Sequence, residues 1–465
     1  MYHNRRITKK LEQYIPAVKI FEKFSQEAGI AFLDSSLINE LGQYSIIGRK
    51  PYEILKKEQG QFFQNGSLRT DTTFEAYLKR YLQDHVDENE LDIPMVSGAI
   101  GYLSYEYGRE LMGIDSMEKD PCPIPEALFT FYDLLIVEDC KKKEIYLSAC
   151  GMTEDAQELL DRTRQEILRL QVKEQTELQG EEDAAWKAVQ MPYKIKVTPN
   201  FEKEEYKQAV NQMIQYIREG DIYIANMTQR LEVESEKAPL DVFVALRKNN
   251  PSPFGGYLDC GMYQIISASP ERFLQMRDKK VQTRPIKGTR KRGATPEEDQ
   301  MLRKELEQSG KDKSELLMIV DLERNDLNRV CRPGSVKVTE LFTVEAYATV
   351  FHLVSNVEGE LTEDRDVMDL MEAAFPGGSI TGAPKYRAME IIDELEHGKR
   401  GLYTGSIGYL TLDGACDFNI VIRTAVHKNG RYYLGVGGGI TAESDLEFEY
   451  EETLQKAKAV LEALK

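Results

Sequence analysis

The chain has 465 residues, 41% of them hydrophobic and 30% charged, and a formal net charge of −18. That composition supports a packed core and sets aside disorder. The acidic surplus sets aside nonspecific binding to nucleic acid or to an anionic membrane surface.

From the N-terminus, MYHNRRITKKLEQYIPAVKIF is charged and lacks the apolar core of a signal peptide. No stretch reaches the roughly 20 apolar residues that span a bilayer, so a soluble, cytoplasmic protein is expected. The cysteines Cys122, Cys140, Cys150, Cys260, Cys331 and Cys416 are scattered without C-x-x-C or zinc spacing, and free thiols are expected. Strand-like runs occur at Ala99–Leu103 and Phe129–Val137. Residues 1–170 are read as an N-terminal region interleaved with the core. Residues 171–200 are read as a charged linker anchored by Trp186, the only tryptophan, and 201–465 as the region that carries the motifs. Strands and helices alternate there without regular βαβ spacing, which predicts an α+β fold with large antiparallel sheets. Two nucleotide motifs fail: Ile440 stands where Gly435-Val-Gly-Gly-Gly-Ile would need its last glycine, and Gly310-Lys311 lacks the rest of a P-loop.

Five constellations carry chemistry. In VQTRPIKGTRKRG, five cations fall close together: Arg284, Lys287, Arg290, Lys291 and Arg292. They form either a solvated salt-bridge loop or a field that favours the neutral, nucleophilic amine of one lysine. Asp312 and Glu315 share one face of the predicted helix KDKSELLMIVDLE. Glu449 and Glu452 repeat that spacing in the last helix, with Lys456 one turn on. Such pairs are either solvated helix surface or, brought together, hard oxygen ligands suited to Mg²⁺. His352 lies in the strand-like run Thr349–Ser355, as a core histidine or a pocket residue. PGGSITGAPKYRAMEIIDELE reads as glycines leading into a helix N-terminus, with Pro384 in its first turn, as either an anion site or a structural strand-to-helix turn. Finally, Asn429-Gly430 marks a hairpin in which Lys428 faces Arg431, and counting back sets Arg423 opposite Val436. The guanidinium and the Gly437–Gly439 amides make either a carboxylate clamp or a bulge beside a surface arginine.

PIKGTRKRG, ELLMIVDLERNDLNRV, FHLVSNVEG, FPGGSITGAPK, YTGSIGYL, FNIVIRT and GGGITAESDLEFEYEET occur in the order found in chorismate-utilizing enzymes, and the chain resembles that family densely from Phe201 onward. Upstream the likeness is weaker, through Gln43–Gly48 and Gly98–Glu106. Phe32-Leu-Asp-Ser-Ser only loosely resembles an effector pocket of the synthases. The resemblance implies a large αββα sandwich of the anthranilate synthase component I type, with the active site between its sheets. It implies that Glu315 and Glu452 hold Mg²⁺ on the ring carboxylate of chorismate, with Asp312 and Glu449 assisting through water. It further implies that Arg423, Tyr403, the Gly437, Gly438 and Gly439 amides and Lys456 bind carboxylates, and that Ser379 and His352 line the ring pocket.

Within the family, Lys287 resembles the nucleophile of those aminodeoxychorismate synthases that form a covalent adduct at C2 before ammonia attacks C4. Anthranilate synthases have alanine there. Glu271 is similar to the general acid that protonates the departing hydroxyl. Isochorismate and salicylate synthases carry a lysine base near Ile224, and isoleucine cannot activate water. The implied activity is 4-amino-4-deoxychorismate formation for 4-aminobenzoate and folate, with anthranilate formation as the alternative. No glutaminase residues are visible, so a separate glutamine amidotransferase subunit is the implied partner.

Overall fold

In the computed structural model, which describes residues 6–116, 119–177, 193–347 and 350–465, every strand pairing is antiparallel. The strand Ala127–Asp139 is buried along its whole length and pairs with Tyr44–Glu58 on one edge and Glu144–Ala149 on the other. A strand covered on both faces reads as a continuous apolar run rather than an alternating one, which accounts for the pattern at Phe129–Val137. N-terminal strands also pair with C-terminal ones. Ala31–Asp34 lies beside Phe254–Asp259, and Gly98–Leu103 beside Ser406–Thr411.

The architecture is α+β, as expected, and the apolar clusters show its layering. One cluster is built almost wholly from strands and loops, with Ile46, Ile100, Tyr102, Leu135, Ile265, Ile407 and Val426 meeting sheet to sheet. A second packs the helices Ala17–Phe24, Ala156–Glu177, Pro239–Asn249 and Leu446–Leu464 on an outer face. A third packs Phe74–Asp84, Gly310–Asn328 and Val367–Ala374 on another. The helix Ala156–Glu177 continues past residue 170, the expected start of the linker. Trp186 lies outside the described residues. All six cysteines are free. Among the described residues, no helix is long and apolar enough to cross a membrane.

Two capped helices position the acidic pairs. Ser309 accepts from the Asp312 amide at 3.2 Å, and Asp445 accepts from the Phe448 amide at 2.9 Å. Asp312 and Glu449 therefore fall in first helical turns, where a carboxylate opposes the positive end of the helix dipole. The Gly310 helix is pinned below by a buried ion pair, Lys385 Nζ to Asp326 Oδ2 at 2.7 Å, each side chain only 7% exposed. Lys385 also donates to the Ala374 carbonyl at 2.8 Å. Replacing Lys385 with methionine strands a buried carboxylate and is expected to cost about 3 kcal/mol of unfolding free energy. Urea denaturation measures it, and a loss under about 1 kcal/mol would give the pair no more weight than an exposed one.

Candidate active site

The strand Arg431–Ile440 organises the site. One edge pairs with Ile224–Glu234, from Ala225 opposite Ile440 to Glu234 opposite Arg431. The other pairs with Thr424–Lys428 only as far as Leu434, beside Ala425, and Lys428 faces Arg431 as the hairpin signal predicts. Pairing stops because Arg423 turns into the left-handed region, at φ 51°. Arg423 therefore does not extend the ladder to Val436, contrary to the count along the strands. Among the described residues, the edge beyond Leu434 has no strand partner. Antiparallel ladders alternate the direction of their backbone groups, so this open edge presents amides between Gly435 and Ile440 to an incoming carboxylate.

Glycine is required at Gly435 and Gly437, where a Cβ would fall 2.0 Å from Tyr403 Cγ and 2.4 Å from the Met227 carbonyl oxygen, and charged side chains approach Gly438 and Gly439 closely. A Cβ on Gly439 would stand 3.2 Å from Lys287 Nζ, 3.4 Å from Ile224 Cδ1 and 3.7 Å from Glu315 Oε2. One on Gly438 would stand 3.3 Å from Glu449 Oε2, 3.5 Å from Glu452 Oε1 and 3.6 Å from Lys456 Nζ. Gly437 contributes its carbonyl, which accepts from Lys456 Nζ at 2.8 Å. The fold thus gathers Lys287, Glu315, Glu449, Glu452 and Lys456 around adjacent glycines. Tyr403 lies further back, with its ring against Gly435 beside a cavity of about 30 Å³.

Lys287 Nζ donates to the Ser379 carbonyl at 3.1 Å. Ser379 belongs to the short 3-10 turn Gly378–Ile380, which precedes the helix Lys385–Leu395. In the GGSITGAPK segment it is this turn that meets the lysine. The helix start is occupied differently: Gly382 and Ala383 pair with Ala225 and Ile224, and Lys385 points into its buried ion pair. Glu271 Oε1 lies 3.4 Å from the Ile286 amide, one residue from Lys287. Burial raises the Glu271 carboxyl above the usual range, against the opposing pull of Ser379 and Lys287.

The cationic cluster does not act on Lys287 as the sequence suggested. Arg284 is engaged by Glu340 at 2.7 Å and Glu345 at 2.5 Å, Arg290 by Glu305 at 2.7 Å, and Arg292 by Asp299 at 2.7 Å. Lys291 is exposed and 3.8 Å from Glu298. Carboxylate partners engage these arginines, and the charges that feel Lys287 are the carboxylates Glu271, Glu315 and Glu452. Asp312 is partly withdrawn too, paired with Arg290 at 3.1 Å.

His352 is buried, accepts from or donates to Thr289 Oγ1 through Nδ1 at 2.9 Å, and packs edge-on to Tyr347. Burial, helped by Arg423, lowers its pKa to about 3, so the ring is neutral. No ion pair among the described residues engages Arg423, whose charge is felt by Glu271 and His352. It is an available anion receptor beside the general-acid candidate. The glutamates are shifted in opposite directions. Burial raises Glu315 and Glu449, whereas for Glu452 the upward push of burial is outweighed by Lys456 at 2.5 Å, and its pKa falls.

Glu315, Glu449 and Glu452 are of the right chemistry for a hard divalent cation. An ammonium already sits between the two helices: Lys311 Nζ is 3.9 Å from Glu315 and 3.8 Å from Glu449. Among the described residues, no three His, Cys, Asp or Glu side chains close on one point at ligand distance. Lys311 was missed in the sequence, although its i, i+4 spacing to Glu315 was a signal. A larger cavity of about 440 Å³, lined by Asp34, Ser35, Arg272, Arg284, Glu345 and Asn356, contains none of the residues predicted to act on chorismate, and Asp34 and Ser35 belong to the Phe32–Ser36 segment that loosely resembles an effector pocket.

A family model described as chorismate binding enzyme matches residues 36–462. The chain is 38% identical over 469 residues to anthranilate synthase component 1 of Acetivibrio thermocellus, covering 96% of this chain and 92% of that protein. It is 37% identical over 438 residues to aminodeoxychorismate synthase component 1 of Bacillus subtilis (strain 168), covering 91% and 89%. The crystal structure of anthranilate synthase component I from Streptococcus pneumoniae TIGR4 superposes with a TM-score of 0.79 at 33% identity, covering 91% of this chain and 93% of that one. An anion-receptive glycine edge flanked by lysines and buried carboxylates thus sits on a chain that belongs to the chorismate-binding enzymes.

Proposed function

We propose that the chain is the large subunit of an aminodeoxychorismate synthase, replacing the C4 hydroxyl of chorismate by an amino group through a covalent adduct on Lys287. The observation that carries this reading is the position of Lys287 Nζ, against Gly439 and hydrogen-bonded to the Ser379 carbonyl at 3.1 Å, with Glu271 alongside. The open glycine edge and Arg423 receive the substrate carboxylates. Glu315 and Glu452 would hold Mg²⁺, with Glu449 and Asp312 assisting. When bound, such an ion would supply positive charge against the ring carboxylate.

Lys287 yields a proton to a neighbouring carboxylate as substrate displaces water, which supplies the nucleophilic amine that the paired arginines do not. The amine forms a bond to C2, the ring double bonds shift, and the C4–O bond breaks. Glu271 gives the departing hydroxyl its proton, so water leaves. Ammonia then bonds to C4, the double bonds shift back, and the C2–N bond to Lys287 breaks. The proton shed by the new C4 ammonium restores Glu271. Ile224, buried and, like this amine, close to Gly439, offers no group to activate water. A separate glutamine amidotransferase subunit supplies the ammonia.

The raised Glu271 carboxyl keeps its proton to higher pH than an ordinary glutamate and loses it as pH rises further. The rate is expected to fall on that alkaline limb. Glu271→Gln should lower kcat by about 10²–10³-fold and remove the limb. A pH profile of the variant that matches wild type would take the general-acid role from Glu271.

A second reading, anthranilate formation, is favoured by the relatives of that name at similar identity. Incubating the chain with chorismate, Mg²⁺ and an ammonium salt separates the two. The 4-amino product is expected, and an ortho-amino product alone would establish the second.

A further inference from the structure

Two carboxylates from different helices share one ammonium. Lys311 Nζ stands 3.9 Å from Glu315 Oε1 on its own helix and 3.8 Å from Glu449 Oε1 on the C-terminal helix. Both separations exceed a hydrogen bond, so the attraction is electrostatic and non-directional. Glu449 Oε1 already accepts from Ser444 Oγ at 2.7 Å. The Oε2 atoms of Glu449 and Glu315 turn instead toward Gly438 and Gly439. Lys456 is held differently, closing on Glu452 at 2.5 Å and on the Gly437 carbonyl at 2.8 Å.

Two buried carboxylates, Glu315 and Glu449, and the half-buried Glu452 repel one another unless they are neutralised. Lys456 neutralises Glu452. Lys287 is felt by Glu315 and Glu452, and the charge left over at Glu449 and Glu315 falls to Lys311, whose side chain is 39% exposed and reaches in from solvent. Its ammonium also stands 5.9 Å from the centre of the exposed Phe448 ring, a face that stabilises a cation.

We infer that Lys311 is the resident counter-cation of this cluster, bridging the two helices when no divalent ion is present and withdrawing toward Phe448 when one binds. The inference rests on the divalent-cation reading of Glu315, Glu449 and Glu452 above. A metal on these carboxylates and an ammonium under 4 Å from two of them repel, so binding and withdrawal are coupled. The lysine lowers the apparent affinity for the metal and keeps it exchangeable, while preventing the empty cluster from forcing the helices apart.

The test uses the full chain without substrate and Mn²⁺ as a paramagnetic hard cation, titrated by EPR. Lys311→Met keeps the aliphatic stem and removes the charge. Mn²⁺ is expected to bind it about five- to tenfold more tightly than wild type. The metal-free variant should melt below wild type, and the metal-saturated forms together. Lys311→Arg, which keeps the charge, should return the affinity toward wild type, and Lys313→Met should leave it unchanged. Equal or weaker Mn²⁺ binding by Lys311→Met, with wild type binding normally, overturns the counter-cation. Failure of wild type itself to bind Mn²⁺ would instead remove the divalent-cation reading beneath it.

Discussion

Replacing Lys287 with alanine is expected to lower 4-amino-4-deoxychorismate formation by at least about 10³-fold, the scale on which removal of a covalent nucleophile acts. The fold should tolerate the change. The side chain gives up one hydrogen bond, to the Ser379 carbonyl, worth about 1 kcal/mol. The carboxylates around it would lose a counter-charge but keep Lys311 and Lys456. Chorismate should still bind, because the glycine edge and Arg423 are untouched. With C2 no longer occupied by lysine, ammonia gains access to that carbon, and a small yield of ortho-amino product is expected. Mass spectrometry of wild type quenched with chorismate in the absence of ammonia should show an adduct on Lys287. An alanine variant that makes the 4-amino product at the wild-type rate would reduce Lys287 to an ordinary strand residue, and the second reading would then stand on product identity.

Glu452→Gln is expected to remove most turnover, by about 10²-fold or more, through loss of a charged oxygen ligand. Burial raises Glu315 and Glu449, whereas Lys456 holds Glu452 below the usual carboxylate range, which favours its charged form as a cation ligand. Glutamine keeps the shape and a carbonyl oxygen for Lys456, so unfolding free energy should move by about 1 kcal/mol or less. The variant's turnover should rise with Mg²⁺ concentration far above the wild-type requirement. Full wild-type turnover after exhaustive chelation would eliminate the metal role of this residue altogether.

Particular residues show what was legible in sequence. Helical segments at 311–323 and 446–465 were legible inside the observed helices Gly310–Asn328 and Leu446–Leu464, and the hairpin was legible from Asn429-Gly430, because these are local properties of backbone and solvent. The acidic pairs were visible as i, i+3 faces for the same reason. Family membership was legible too, since ordered motifs identify a fold without specifying its contacts.

Only the tertiary structure decided which charges meet. Arg284, Arg290 and Arg292 are near Lys287 in sequence, yet they pair with Glu340, Glu305 and Asp299. The lysine's own neighbours are carboxylates drawn from other parts of the chain. Arg423 was placed by register on the glycine ladder, and a left-handed backbone at that one residue sends it toward Glu271 and His352 instead. Lys311 bridges Glu315 and Glu449 across more than 130 positions of sequence. Local periodicity fixes the direction a side chain leaves its own strand or helix. The partner it meets depends on how sheets and helices pack, and Coulomb energy depends on that distance rather than on separation along the chain.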